Sequence, residues 1–252
     1  MWDNPRLLNL AANALYGVAA FIVLCIAVIA IVNSQLFPLR TVSVRGAPQH
    51  VDAAAIERAL AGRVTGNFFG VDLVAVRDAM ESVPWVRRVE VRRHWPDTIV
   101  VKVEEHEALA RWRDEQLVNT HGELFEGQIT ADLPRFSGPS GTEAAMTAHY
   151  REFAQRVAAL GMRITSIELS PRHAWELKLA GEERGLTIML GREQVQYSAA
   201  DRLQRFVEMY PTTVGLLHRN VGDVDLRYPN GFALRVPGLE KLDSKNKKAG
   251  SA

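Results

Sequence analysis

The chain has 252 residues, of which 47% are hydrophobic and 23% charged, enough apolar material for one large or two ordinary globular cores. Its formal charge of +1, with no long basic stripe, argues against DNA or RNA as the main partner. A single cysteine, Cys25, excludes disulfides within the chain, cysteine-based zinc sites and CxxC redox chemistry.

An uncharged stretch runs from Leu7 to Leu39, and within it Leu15 to Val32 is uninterrupted apolar sequence. Eighteen residues of helix rise roughly 27 Å, close to the thickness of a bilayer's hydrocarbon core. The expectation is a membrane-spanning helix over residues 15–37, behind a short tail of residues 1–14. A cleavable signal peptide is the competing reading; it predicts a shorter apolar region ending in a small-x-small site, and the run leads instead into VNSQLFPLR. Flanking charge does not fix orientation, with Arg6 on one side and Arg40 and Arg45 on the other. Cys25 falls inside the span, where an apolar filler is the simplest role.

Beyond the anchor, Val42 and Val44 alternate with Thr41, Ser43 and Arg45 up to Gly46, which is strand spacing with a breaker. Asp52 and Asp72 then stand as N-caps ahead of AAAIERAL and LVAVRDAMES, two short amphipathic helices. The intervening GRVTGNFFGVD lacks both GxGxxG and the Lys-Ser/Thr of a phosphate loop. Residues 86–112 read as a hairpin turning at Trp95-Pro96-Asp97. The order β-α-α-β-β implies a small α+β module over residues 38–112, helices on one face of a three-stranded sheet. Arg87, Arg88, Arg92 and Arg93 interleave with valines as an outer face would, opposite Glu104, Glu105 and Glu107.

Residues 113–240 predict a larger, mostly antiparallel sheet with two helices packed on it. Two short strands meet across His121-Gly122. Thr142 opens a helix whose Met146, Tyr150, Phe153, Val157 and Leu160 form one stripe before Gly161, and MRITSIELS, AWELKLAG and LTIMLG follow as strands. AADRLQRFVEMY is the second helix, stopped by Pro211. The last hairpin places Val224, Leu226 and Tyr228 on one arm and Phe232, Leu234 and Val236 on the other, over a tight turn at Pro229-Asn230-Gly231. The polar, lysine-containing residues 241–252 read as a solvated tail.

No catalytic or cofactor chemistry is legible. The seven histidines show no HxH or HExxH spacing, and Ser140 lies in GPSG rather than GxSxG. The Glu104-Glu105 and Glu182-Glu183 pairs point apart wherever they lie on strands or turns. Neither a metal site nor a cofactor is expected. A final strand over residues 232–236 leaves two readings open: an edge guarded against aggregation by Arg235 and the lysines beyond it, or an edge that accepts another chain's strand.

The stretch WPDTIVVKVEEHEALARW behind a single anchor resembles the POTRA domain of the FtsQ family of bacterial cell-division proteins. The second half is similar to that family in Pro171-Arg172-x-x-Trp175, Leu190-Gly191-Arg192, the DRLQRFVEMYP helix and VDLRYPNGFALR. The resemblance implies a non-enzymatic, single-pass inner-membrane component of the divisome, most of it periplasmic and acting at the septum. It implies that FtsB, itself paired with FtsL, adds a strand at the C-terminal edge, while the POTRA domain contacts other division proteins. Carried over by position, the receiving residues are Tyr228, Asn230, Gly231, Phe232, Ala233, Leu234, Arg235 and Val236, with Arg172 paired to an acidic partner residue. For Tyr228 a core position capping the sheet is the competing reading. As a whole, the rival class is a POTRA-bearing element of an envelope secretion or assembly system, or a membrane-tethered envelope enzyme.

Overall fold

The computed structural model describes residues 5–32, 34, 37–46, 49–64, 66–113, 115–181, 185–194, 196–216, 221–228 and 231–236. The chain divides into two compact units, residues 1–105 and 106–252.

The first unit begins with α1 (Pro5–Val32), which starts ten residues ahead of the expected span and stops five short of its end. Its segment Asn9–Val32 is long and apolar enough to cross a membrane, and none of it is buried. Next come β1 (Thr41–Arg45), α2 (Ala53–Leu60), α3 (Leu73–Glu81), β2 (Val86–His94) and β3 (Thr98–Glu105). The three strands form one sheet in the order β1-β3-β2, with β1 parallel and β2 antiparallel to β3. Both acidic caps form: Asp52 accepts the amide of Ala54 at 3.1 Å, and Asp72 those of Val74 and Ala75 at 2.9 and 3.1 Å. The helices cover the face carrying Val89, Ile99, Val101 and Val103, with Ile56, Val76 and Met80 buried among them. Gly46 is required where it stands, because its φ is +117° and a Cβ there would lie 2.2 Å from the Val103 carbonyl oxygen.

Of the four arginines on the arm, Arg87 pairs with Glu104 at 2.5 Å and Arg92 pairs with Glu90. Arg93 instead donates to the carbonyls of Phe68, Phe69 and Val71, tying the loop between α2 and α3 to β2.

At the other end of this sheet, one oxygen of Glu105 accepts the amides of His50 and Val51, both at 3.0 Å, and the second lies 3.5 Å from the His50 ring. Burial disfavours the charged carboxylate, but the amides of Gln49, His50 and Val51 and the His50 ring outweigh it and hold the Glu105 pKa below its ordinary value. A depressed carboxylate stabilises the fold above its unfolded pKa, and that contribution is lost as pH falls through the folded pKa. Glu105→Gln is therefore expected to lower stability at pH 7 by on the order of 1 kcal/mol. The gap to the wild type should close as pH drops below about 4, read from urea unfolding at a series of pH values.

The second unit consists of β4 (Ala108–Trp112), β5 (Gln116–Asn119), β6 (Leu124–Phe125), β7 (Arg135–Ser137), α4 (Glu143–Val157), β8 (Arg163–Leu169), β9 (Ala174–Ala180), β10 (Gly185–Arg192), α5 (Ala199–Met209), β11 (Asp223–Asp225) and β12 (Ala233–Arg235). They form one nine-stranded sheet in the order β12-β11-β10-β9-β8-β7-β4-β5-β6. The segment Ala108–Trp112, grouped by sequence with the first module, thus pairs with β5 and β7 in the larger sheet. A strand's sheet is set by which neighbour completes its ladder, and local alternation carries no information about that.

The sheet is mostly antiparallel, as expected, with three parallel pairs. β4–β7, β7–β8 and β10–β11 are parallel, and the other five pairs are antiparallel. Two of the parallel pairs follow from the helices, since α4 joins β7 to β8 and α5 joins β10 to β11, and a helical crossover returns the next strand in the same direction. One core holds this layer together, with Phe136, Phe153, Ile167, Leu177, Ile188, Leu203 and Phe206 at its centre. α5 begins with a reciprocal cap: Ser198 Oγ accepts the Asp201 amide at 3.0 Å, and the Asp201 carboxylate accepts the Ser198 amide at 3.1 Å. Arg202, which helical spacing alone leaves unremarkable, is buried and donates to the carbonyls of Tyr197 and Arg192 at 2.7 and 2.6 Å. It thereby fixes the start of α5 to the end of β10.

Candidate functional site

The C-terminal hairpin pairs Asp223 with Arg235, Val224 with Leu234 and Asp225 with Ala233. Seven residues separate its strands, and the tight turn expected over 229–231 falls on Pro229 and Asn230, which lie outside the described residues. The Leu226 amide turns to the Met189 carbonyl of β10 at 2.9 Å, and Arg227 folds back on Asp225, donating from its backbone N at 3.0 Å and from its Nε at 2.8 Å. β11 thus leaves the ladder with β12 at Leu226.

The hydrogen bond from Arg227, foremost, holds the Asp225 carboxyl below the usual range against the opposing effect of burial. Sequence reading did not single out this pair. Its signal, an Asp-x-Arg spacing, becomes informative only once the bulge in β10 is known. The register slips between Met189 and Gly191, Gly191 adopts a φ of +77°, and a Cβ on it would meet Arg227 Cγ at 2.9 Å. Leu190-Gly191-Arg192 thus has a local cause: the glycine permits the bulge and leaves room for the Arg227 stem. Gly191→Ala is expected to lower stability by about 1–2 kcal/mol through left-handed strain and displacement of Arg227, measurable by chemical unfolding.

The backbone of β12 can be oriented residue by residue. Because the Leu226 amide faces β10, those of Asp223 and Asp225 face β12, and their partners Arg235 and Ala233 face inward. The Arg235 carbonyl does accept from the Gly222 amide at 3.0 Å. Backbone groups alternate along a strand, so the N–H and C=O of Leu234 point outward, away from β11. β12 ends the strand order, and among the described residues no strand pairs on its outer side.

Side chains follow the other alternation. Phe232, Leu234 and Val236 are partly buried against the core, with the Phe232 ring edge-on to Phe206 at 5.4 Å, whereas Ala233 and Arg235 are exposed. Arg235 Nη1 lies 3.8 Å from the Asp223 carboxylate opposite it. Tyr228 is 55% exposed and caps no core.

Arg172 is exposed in the turn between β8 and β9, which is closed by bonds from His173 N to Ser170 O at 2.8 Å and from Ala174 N to Ser170 Oγ at 3.0 Å. Strand direction places it at the same end of the sheet as Tyr228. Ala174 pairs with Arg192 at the end of β10, β11 runs parallel to β10, and β12 starts where β11 stops. Three strand spacings, roughly 14 Å, separate β9 from β12. Arg172, Tyr228, Gly231 and Phe232 therefore share one end of the sheet without forming a single contact cluster.

Among the described residues, no group of three His, Cys, Asp or Glu side chains is arranged to hold a metal ion. Among the described residues, the second unit thus presents a sheet margin whose outward main-chain groups pair with no strand, an exposed tyrosine and arginines at the same end.

Residues 37–106 match the FtsQ-type POTRA domain, and residues 110–227 match the C-terminal domain of cell division protein FtsQ/DivIB. This tandem, behind an apolar helix, defines a POTRA-bearing cell-division protein. The chain is similar to the cell division protein FtsQ of Burkholderia pseudomallei, 39% identical over 250 residues that cover 98% of this chain and 99% of that one. It is also similar to FtsQ of Bordetella pertussis, 39% identical over 260 residues covering 95% and 94% of the two chains. FtsQ of Nitrosospira multiformis is 35% identical over 240 residues, 93% and 99% of the respective lengths. The chain belongs to the FtsQ family of cell division proteins. Its strand β12 lies past the matched C-terminal domain.

Proposed function

We propose that the protein is a non-enzymatic, single-pass scaffold of the divisome that links early cytoplasmic with later periplasmic division proteins. α1 anchors it in the bacterial inner membrane with the bulk of the chain in the periplasm, at the septum. The β12 edge takes an added strand from FtsB, itself paired with FtsL, and the POTRA domain contacts further division proteins. The observation that carries this reading is the position of β12 at the end of the nine-strand order, with the Leu234 main-chain groups directed away from β11. A strand docked there would add backbone hydrogen bonds at little conformational cost to the sheet. Tyr228 supplies amphipathic contact area, Asn230, Gly231 and Phe232 to Val236 complete the receiving segment, and Arg172 pairs with an acidic partner residue, contributing chiefly to encounter rate and specificity.

The test is extraction of the tagged chain from membranes, with identification of what co-purifies. FtsB and FtsL should elute with the wild type. Their absence, or their retention after the outward backbone groups of β12 are removed, would place the contact elsewhere. A reporter fused after residue 240 should be active only outside the cytoplasm, which tests the orientation separately.

A further inference from the structure

One end of the first unit gathers three segments around the close of α1. Asn67 Nδ2 donates to the carbonyls of Val32 and Ser34 at 2.6 and 3.1 Å, so the loop between α2 and α3 is tied to the last turn of the helix. The Phe68 amide donates to the Phe37 carbonyl at 2.9 Å, and Arg40 and Thr41 both donate to the Asp97 carbonyl in the β2–β3 turn, at 3.0 and 3.3 Å. Trp95, at the tip of that turn, is 71% exposed, and Phe69 is 41% exposed with its ring edge-on to Phe37 at 5.3 Å. Exposed Arg40, Arg63 and Arg92 lie at the same end, Arg92 with Glu90 as an ion-pair partner. The acidic groups there are engaged within the unit: Asp72 caps α3, and Asp97 accepts the Thr98 hydroxyl at 3.1 Å.

Large aromatic rings left in water at a turn gain by reaching an apolar boundary, and tryptophan beside arginine is the pattern found at the headgroup level of membranes. What fixes the occupant is chain geometry. The 24-residue segment Asn9–Val32 rises roughly 36 Å as a helix, against a hydrocarbon core of about 30 Å, so its final turn emerges into the interfacial layer. Asn67, two residues ahead of Phe69, is bonded to that turn, and Phe68, the residue before Phe69, is bonded to Phe37 just beyond it.

Resting on the reading of α1 as membrane-spanning, we infer that Trp95 and Phe69 sit in the interfacial layer of the bilayer, with Arg40, Arg63 and Arg92 at phosphate level. The anchor thus continues into a lipid-facing foot on the first unit.

The test uses the full chain reconstituted into phosphatidylethanolamine–phosphatidylglycerol vesicles, with ordinary or dibrominated acyl chains. Flotation after a carbonate wash reports the anchor. Tryptophan quenching by bromine, compared between the wild type and Trp95→Phe, reports the foot, because the other four tryptophans are common to both samples. Trp95→Phe is expected to remove a large share, on the order of half, of the bromine-sensitive signal. Phe69→Ser should weaken quenching of Trp95. A chain that floats while its Trp95 signal is insensitive to bromine and open to iodide overturns the foot and leaves the anchor standing. Protection from iodide without bromine quenching overturns it in favour of a second copy of the chain covering Trp95. Failure to float removes anchor and foot together.

Discussion

If the proposed strand addition holds, replacing Leu234 by proline should weaken capture of an extended FtsB segment by roughly 10- to 100-fold while shifting the thermal midpoint by only a few degrees. The Leu234 N–H points away from β11, so proline there takes nothing from the internal ladder, and an edge strand tolerates the residue with its missing donor facing outward. An incoming strand would instead lose one main-chain donor, leaving its own carbonyl unsatisfied at a cost of about 1–3 kcal/mol. The neighbouring substitution is the control. Ala233 faces inward to Asp225, so Ala233→Pro breaks the hairpin itself and should reduce stability as well as binding. Calorimetric titration with the partner segment, alongside thermal unfolding of each variant, separates the two effects. Undiminished binding by Leu234→Pro would exclude strand addition at this margin.

The largest stability effect is expected in the second unit from Phe153→Ala. Phe153 is fully buried on α4, edge-on to Trp175 at 5.8 Å and stacked with His149 at 5.5 Å. Emptying that position removes burial and leaves a cavity between helix and sheet, a loss of about 3–5 kcal/mol. Because a domain's whole stability is typically about 5–15 kcal/mol, the thermal midpoint should fall on the order of 10 °C. Circular dichroism of the detergent-solubilised chain reads the shift, and the near-ultraviolet signal of Trp175 should collapse with it.

The small module was legible because its information is local: two aspartate caps, valine alternation and a Trp-Pro-Asp turn each act within a few residues. Both long helices of the second unit were legible for the same reason, their apolar stripes recurring every three or four positions. Partner choice among strands was not. Nothing in ALARW says that it pairs with Gln116–Asn119 and Arg135–Ser137 rather than closing the module before it. That β7 and β8 run side by side in one direction is decided by where α4 packs. At the candidate site, alternation alone separated the inward Phe232, Leu234 and Val236 from the exposed Ala233 and Arg235. The way β11 ends escaped it, because Arg227 closes over Asp225 beside a bulge at Gly191, more than thirty residues earlier in the chain.

The helical crossover through α5 has a bearing on assembly. Since β11 can join the sheet only after α5 has been laid across it, and β12 only after β11, the proposed receiving margin is the last of the described strands to take its place as the chain is translated. Recruitment through that margin would carry its own quality check, for a stalled or clipped copy lacking residues 233–235 would have no seat to offer, however sound the rest of it was.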